Sequence, residues 1–420
     1  GDISRFSHVG RYVSYARLVA SSHLSNGKAK GSGNTKNGNR FLCWAFIEAA
    51  NFAIRYDLTV RRYYQRKAAR TIATQLSLMD EYPEYKFLQS QPHLYWMIKT
   101  HYPELYARVK EAVARGQFVP DGGTWVEPDT NIPSGESLIR QFIYGKRFFR
   151  DEFGVECETL WLPDVFGYSG ALPQIMRGCG VRYFSSAKIF WAYNDYDPFP
   201  YNTFTWEGID GSGVLVHLCN YYSCQTDPAY VIDYWRTRVQ KDGFSARPLP
   251  FGWGDGGGGP TRDHLEYARR LENLEGAPRI KPSTLTEYFH DLEARGVPDA
   301  RYVGELYFQA HRGAYTSQAR TKRGNRRSEF ALREAEMWGA AAQALGKFTF
   351  PADEIGQAWR AVLLNQFHDI IPGSSIHRVY EEAEADYAAV ISTAQDVAGQ
   401  ATSALTDGGE GITVFNSLSW

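Results

Sequence analysis

Several short runs of this 420-residue chain place acids, a histidine and glycines where chemistry could be done. In W-L-P-D-V-F-G-Y-S, residues 161–169, a strand expected over 159–163 is interrupted by Pro163 and delivers Asp164 at its C-terminal end. In α/β proteins that rim binds ligands, although a cap or a plain loop acid is the competing reading. In F-G-W-G-D-G-G-G-G-P-T, residues 251–261, a second strand ends in Asp255 and four glycines, which let a backbone approach a ligand closely. No Gly-Lys-Ser/Thr follows, so this is not a phosphate cradle. Two carboxylates on one rim are the equipment of a glycosidase, one as nucleophile and one as general acid and base, about 5–5.5 Å apart in retaining enzymes.

Three further runs belong to the same argument. L-L-N-Q-F-H-D-I-I-P-G-S-S, residues 363–375, sets His368 and Asp369 at a helix end, as metal ligands or as a dipole partner with its neighbour. H-R-G-A-Y-T-S, residues 311–317, carries His311 across a crossing between two regions, where clefts form. G-G-T-W-V-E-P-D, residues 122–129, offers Trp125, Glu127 and Asp129 at another strand end, or simply a solvent-facing turn.

The elements that must hold these residues follow an α/β pattern, with short apolar runs alternating with amphipathic segments from about residue 86. Strands are expected at 86–89, 117–126, 159–163, 182–186, 248–252 and 279–282, and a hairpin at 206–218 around Asp210-Gly211. Helices are expected at 93–115, at 134–149 capped by Ser134, at 267–274 capped by Thr261, and after Thr284, with Glu287 at capping-box spacing. Beyond residue 304 helical periodicity takes over, and 328–345, 352–367 and 379–404 read as an antiparallel three-helix bundle. Residues 412–415 read as a strand that opens a further β-domain, and residues 1–40, rich in Gly, Ser, Asn and Lys, as a linker. The domain expectation is therefore 1–40 linker, 41–310 α/β catalytic domain, 311–407 bundle and 408–420 the start of a β-sandwich.

Composition narrows the partners. A net charge of -1 gives no field to draw nucleic acid or anionic lipid. Five cysteines, odd in number and without a C-x-x-C pair, suggest neither a disulfide framework nor a thiolate zinc site. With no leader and no apolar run of about 18 residues, a cytoplasmic protein is expected. Its 11 Trp and 27 Tyr suit stacking on sugar faces as well as core packing. A homo-oligomer is allowed, since nothing in the pattern speaks to assembly.

In this order the five runs strongly resemble the class II α-mannosidases of glycoside hydrolase family 38, in their cytosolic and bacterial branch, over residues 65–420. The resemblance implies a β/α-barrel-like catalytic domain with a mainly parallel sheet, then a helical bundle and β-domains, around one Zn2+ for which another divalent cation such as Co2+ can stand in. It implies Asp164 as nucleophile and metal ligand, Asp255 as general acid and base, His368 as metal ligand, and Phe166 and Asp369 as substrate contacts. His311, Trp125 and Asp129 join the substrate-binding set, and an oligosaccharide with terminal α-linked mannose is the substrate. One cation can grip the cis 2- and 3-hydroxyls of mannose over the attacking carboxylate.

One departure stands out. Members carry an H-x-D-x-x-W-type segment that supplies two more zinc ligands, and here Phe52, Ile54 and Asp57 occupy those places. Asp164 and His368 alone do not make a four-coordinate zinc. Three accounts stay open: a mannoside-binding pseudoenzyme, Asp57 as a partial substitute, or a misreading of residues 1–64, which the abrupt resumption of the match at Gln65 favours.

Overall fold

The computed structural model describes residues 22–25, 28–32, 58–191, 199–241, 245–406, 408–409 and 411–418, with side chains from residue 66 onward. It divides into two compact units, residues 1–67 and 68–420. Within the first, β1 (Ser22–Ser25) and β2 (Lys28–Ser32) pair antiparallel, inside the stretch expected to be a linker. Phe52, Ile54 and Asp57 lie outside the described residues. Helix α1 (Leu58–Glu81) leads into the second unit.

There, β3 (Phe87–Gln89) and β4 (Phe118–Pro120) form a parallel pair. Between them the sequence pattern predicts one helix, but two form, α2 (Pro92–His101) and α3 (Pro103–Ala114). Pro103 has no N–H to continue α2 and is preorganised as the first residue of α3. The next helix, α4 (Gly135–Phe153), begins where the Ser134 hydroxyl accepts from Ser137 N at 3.2 Å and ends at Gly154, with φ 69°. Both ends are the capping chemistry that its sequence encodes.

A five-stranded sheet follows, ordered β5-β6-β8-β7-β9. Its strands are β5 (Thr159–Trp161), β6 (Tyr183–Ser186), β7 (Thr203–Glu207), β8 (Gly213–Leu218) and β9 (Arg301–Val303). The β5-β6-β8 part is parallel, whereas β7 runs antiparallel to β8 and parallel to β9, so the sheet is mixed. A parallel bridge between Gly122 and Leu160 links the loop after β4 to β5. Phe184, Phe204, Trp206, Val216 and Leu160 are fully buried in one cluster with Leu306 and Phe308. Helix α5 (Leu172–Gly178) connects β5 to β6, and α6 (Pro228–Arg236) follows β8.

Residues 248–252 and 279–282 form no ladder; Phe251 makes a single bridge to Cys224. Helix α7 spans Arg262–Arg270, earlier than its pattern predicts, because Thr261 and His264 close a capping box. Helix α8 (Leu285–Arg295) starts on the Thr284–Glu287 box as expected. Three helices then pack together, α9 (Ala319–Ala344), α10 (Ala352–Asn365) and α11 (His377–Leu405). A Cβ on Gly324 would lie 2.5 Å from the Tyr387 ring, so that glycine sets how closely α9 meets α11. Residues 411–418 form no strand, contrary to expectation; Ile412 is 94% exposed, and the Phe415 ring packs edge-on against Trp338 of α9.

Candidate active site

Asp164 is presented by a short, clamped turn. The ladder runs on one residue past β5, with Leu162 N donating to Ser185 O at 3.1 Å, and stops at Pro163, which has no proton to donate. The Tyr168 hydroxyl donates back to the Leu162 carbonyl at 2.8 Å, and Gly167 takes φ 101° to close the turn. Trp161 pairs in register with Ser185 on the neighbouring parallel strand. Lys188 therefore stands three residues beyond Ser185, as Asp164 stands three beyond Trp161, and the two meet on the rim.

Their contact is an ion pair, Lys188 Nζ to Asp164 Oδ1 at 2.5 Å. Nζ also lies 3.8 Å from the Trp191 ring centre and 5.2 Å from that of Phe166, in an aromatic box. Burial pulls the Lys188 pKa down, while Asp164, Asp369 and Asp255 pull it back up. His311 completes the wall, its ring 4.6 Å from Phe166 and 5.0 Å from Phe308.

His368 arrives from the turn after α10. Its backbone N and its Nδ1 both reach the Glu127 carbonyl, at 3.1 and 3.0 Å. Nδ1 is thus the donor, and in the neutral ring Nε2 is left as an acceptor. Nε2 faces Asp164 Oδ2 at 3.8 Å and Asp369 Oδ2 at 4.0 Å. The turn is tied to the 122–129 run by a bridge between Pro128 and Phe367 and by Asp129 N donating to Gln366 O at 2.9 Å. The run itself can sit against α4 because Gly145 has no Cβ; one there would lie 2.5 Å from Gly123 O.

Asp255 occupies a glycine loop closed by reciprocal Trp253–Gly259 backbone bonds. It has φ 50°, a left-handed conformation uncommon for a residue with a Cβ, and accepts from the Tyr222 hydroxyl at 3.1 Å. Burial first, then the charge of Asp164 and of Asp255, raises the Tyr222 pKa, so that phenol senses both carboxylates. The loop is held from behind by Gln75 of α1, fully buried, which donates to Gly258 O at 2.7 Å and accepts from Tyr85.

Two expected substrate residues lie elsewhere. Trp125 is 2% exposed and its ring packs among His93, Tyr144 and Phe148 in the core beneath the bundle. Asp129 is 1% exposed, with Oδ1 accepting from Asn131 and Ile132 N–H and Oδ2 buried without a partner. The apolar residues of that run face α10, so their strand-end position does not put them on the cleft. Glu127 is the residue of the run that touches site chemistry. Its buried carboxyl accepts from Ser90 at 2.6 Å, and burial raises its pKa against the pull of His368.

Lys188, Tyr222 and Gln75 were not singled out from sequence. The available signal for Lys188 is a lysine three residues beyond the register partner of Trp161, in S-S-A-K-I-F-W.

Among the described residues the donor set for a metal ion is incomplete. Asp164 Oδ2 and His368 Nε2 are spaced as two ligands of one cation, but among the described residues no three His, Cys, Asp or Glu side chains gather as a metal site. A catalytic zinc takes three protein ligands and an open position. Asp164 Oδ1 is already committed to Lys188.

Residues 54–312 match the model of the glycosyl hydrolases family 38 N-terminal domain, and residues 309–405 that of the alpha mannosidase middle domain. Residues 1–65 match a different model, the transposase IS116/IS110/IS902 family. The chain is 43% identical to alpha-mannosidase 2C1 of Homo sapiens over 84% of its own length and 34% of that protein's. It is 47% identical to alpha-mannosidase G of Dictyostelium discoideum over 76% of its length and 29% of that relative's. It thus spans about a third of the curated relatives it matches. The fold is also that of an alpha-mannosidase from Enterococcus faecalis V583, with TM-score 0.71 and 21% identity over 82% of this chain and 40% of that one. Sequence motifs, family models and fold agree that this chain belongs to glycosyl hydrolase family 38.

Proposed function

We propose that the cleft is the catalytic centre of a retaining α-mannosidase, acting on terminal α-linked mannose of oligosaccharides. The observation that carries this reading is the convergence of Asp164, Lys188 and His368 on one rim, with Asp255 near enough for its charge to act on Lys188. Asp164 attacks the anomeric carbon while Asp255 gives its proton to the departing glycosidic oxygen; the C–O bond to the leaving sugar breaks as the ester to Asp164 forms. Asp255, now ionised, takes a proton from water, whose oxygen displaces Asp164 and returns the same anomer. Lys188 offsets the charge on Asp164 between attacks. His368 Nε2, with its tautomer fixed by the Glu127 carbonyl, accepts from a sugar hydroxyl, and Asp369 accepts from another. Phe166 and His311 form the apolar wall under the ring.

The two sheets linked through Gly122 and Leu160 are consistent with a barrel-like enclosure of this cleft, with the helices from 319 onward as its bundle. A reducing, cytoplasmic setting suits the four described thiols, Cys157, Cys179, Cys219 and Cys224, all free. No described helix is long and apolar enough to cross a membrane.

Zinc enters no step of this scheme, because the described donors number two. That shortfall favours a second reading, a chain that binds mannosides without releasing mannose. Hydrolysis of a chromogenic aryl α-mannoside by the purified chain decides between them. Turnover that Asp164→Asn abolishes, with folding intact, supports the hydrolase; mannoside binding by calorimetry without release supports the second reading. Turnover at the parent level in Asp164→Asn refutes the nucleophile.

A further inference from the structure

We infer that this polypeptide is a composite of two coding units joined near residue 65, and that its cleft takes its positive charge from the Lys188 ammonium in place of a divalent metal ion. Two discontinuities coincide. The transposase-family match ends at residue 65, and the hydrolase-family match begins at 54, so the two overlap only at the join. The boundary between compact units falls between residues 67 and 68. Residues 1–65 hold ten Lys and Arg against three Asp and Glu, a net +7 in a chain whose total is -1, and the basic run continues through Arg66, Lys67 and Arg70. Sign asymmetry of this size between segments marks parts with different partners.

The cleft shows the consequence. Asp164 Oδ2 and His368 Nε2 are spaced as two ligands of one cation, and the carboxyls around them are held by other partners or lie at about the same distance from Nε2. Glu127 lies on the Nδ1 side of the imidazole, 4.0 Å away, and is bonded to Ser90. Asp369 Oδ1 accepts from Ser374 at 2.7 Å. A cation ligated by Asp164 would face the Lys188 ammonium across a single carboxylate, which costs Coulomb energy. Among the described residues no third donor completes the set. The inference stands apart from whether the cleft turns over a mannoside.

Two measurements on the full chain test it. Zinc content by plasma mass spectrometry, after equilibration with zinc and desalting, is expected to equal that of His368→Ala, with no zinc-dependent rise in melting temperature. One zinc per chain that falls to background in His368→Ala overturns the Lys188 half. A parallel variant with His8, His23 and Cys43 each changed to Ala shows whether the first segment supplies a donor; zinc lost in that variant likewise overturns it. Long-read sequencing of the source DNA is expected to show transposase-type coding sequence running in frame across codon 65. Hydrolase-type sequence directly upstream of codon 65 overturns the composite.

Discussion

Cutting the Lys188–Asp164 pair measures how firmly the charges of the cleft are fixed. Nζ and Oδ1 are 2.5 Å apart, and the two side chains are 2% and 22% exposed. At an effective dielectric constant of about 20, two unit charges at that separation attract by roughly 7 kcal/mol before desolvation is counted. Withdrawing the ammonium from water returns several kcal/mol of this, and Asp164 keeps part of its hydration, so a net coupling of about 2–3 kcal/mol is expected. Lys188→Met retains the stem and suits the rings of Trp191, Phe166 and Phe308, so it isolates the charge. Asp164→Asn keeps the partner's shape. Urea denaturation of the parent, both single variants and the double variant closes a cycle. Lys188→Met alone is expected to cost about 2 kcal/mol, since it leaves a half-buried carboxylate facing an apolar box. The double variant should be less destabilised than the sum of the singles. A coupling under about 0.5 kcal/mol, the value of an exposed pair, would show that Lys188 does not fix the charge of Asp164.

Gln75→Leu leaves the Gly258 and Pro260 carbonyls without their donor, so a loss of about 1–3 kcal/mol is expected, together with faster hydrogen exchange across 254–259. If exchange there is unchanged, Gln75 does not hold the Asp255 loop. Gly145→Ala drives a methyl to 2.5 Å from Gly123 O, and the expected result is a cost above about 2 kcal/mol with disturbed packing of the 122–129 run. A neutral Gly145→Ala in thermal melts would contradict that close approach. Burial raises the Asp121 pKa from an ordinary 3.8 to about 6, so the folded state binds the proton more tightly than the unfolded chain. Its contribution is therefore present at low pH and lost as pH rises from about 4 to 6, a change of about 3 kcal/mol. Asp121→Asn should flatten the stability profile in that window, and a slope left unaltered would exclude Asp121 as its source. His93, lowered by burial to about 4, acts in the opposite sense. It stabilises fully above about 6.5 and loses that contribution as pH falls toward 4, so His93→Gln should resist acid better than the parent.

The residues that decide the family were legible because motif order and strand-end position are local properties. Asp164 follows a proline-ended strand, Asp255 a glycine loop and His368 a helix end, and each can be seen without knowing its neighbours. Ser134 and Thr284 cap their helices as their sequences dictate. What failed depends on pairing across the chain. Residues 248–252 have strand-like composition but find only one bridge partner, whereas β9 is three residues long and becomes a strand only by joining β7. Lys188 is not legible locally, because its importance comes from the β5–β6 register. Trp125 sits in a catalytic-looking run, yet its side chain turns toward α10 with Val126. The helix break at Pro103 was within reach of local rules, since a proline in the middle of a helical pattern ends the preceding turn.

The proposed retaining mechanism requires that Asp164 form a bond to mannose. Incubation with a fluorinated mannosyl donor that forms the ester quickly and hydrolyses slowly, followed by peptide mass spectrometry, tests this directly. The predicted result is one mannosyl adduct on Asp164, absent from Asp164→Asn. An adduct on another carboxylate, or none on a chain that binds the reagent, would contradict it.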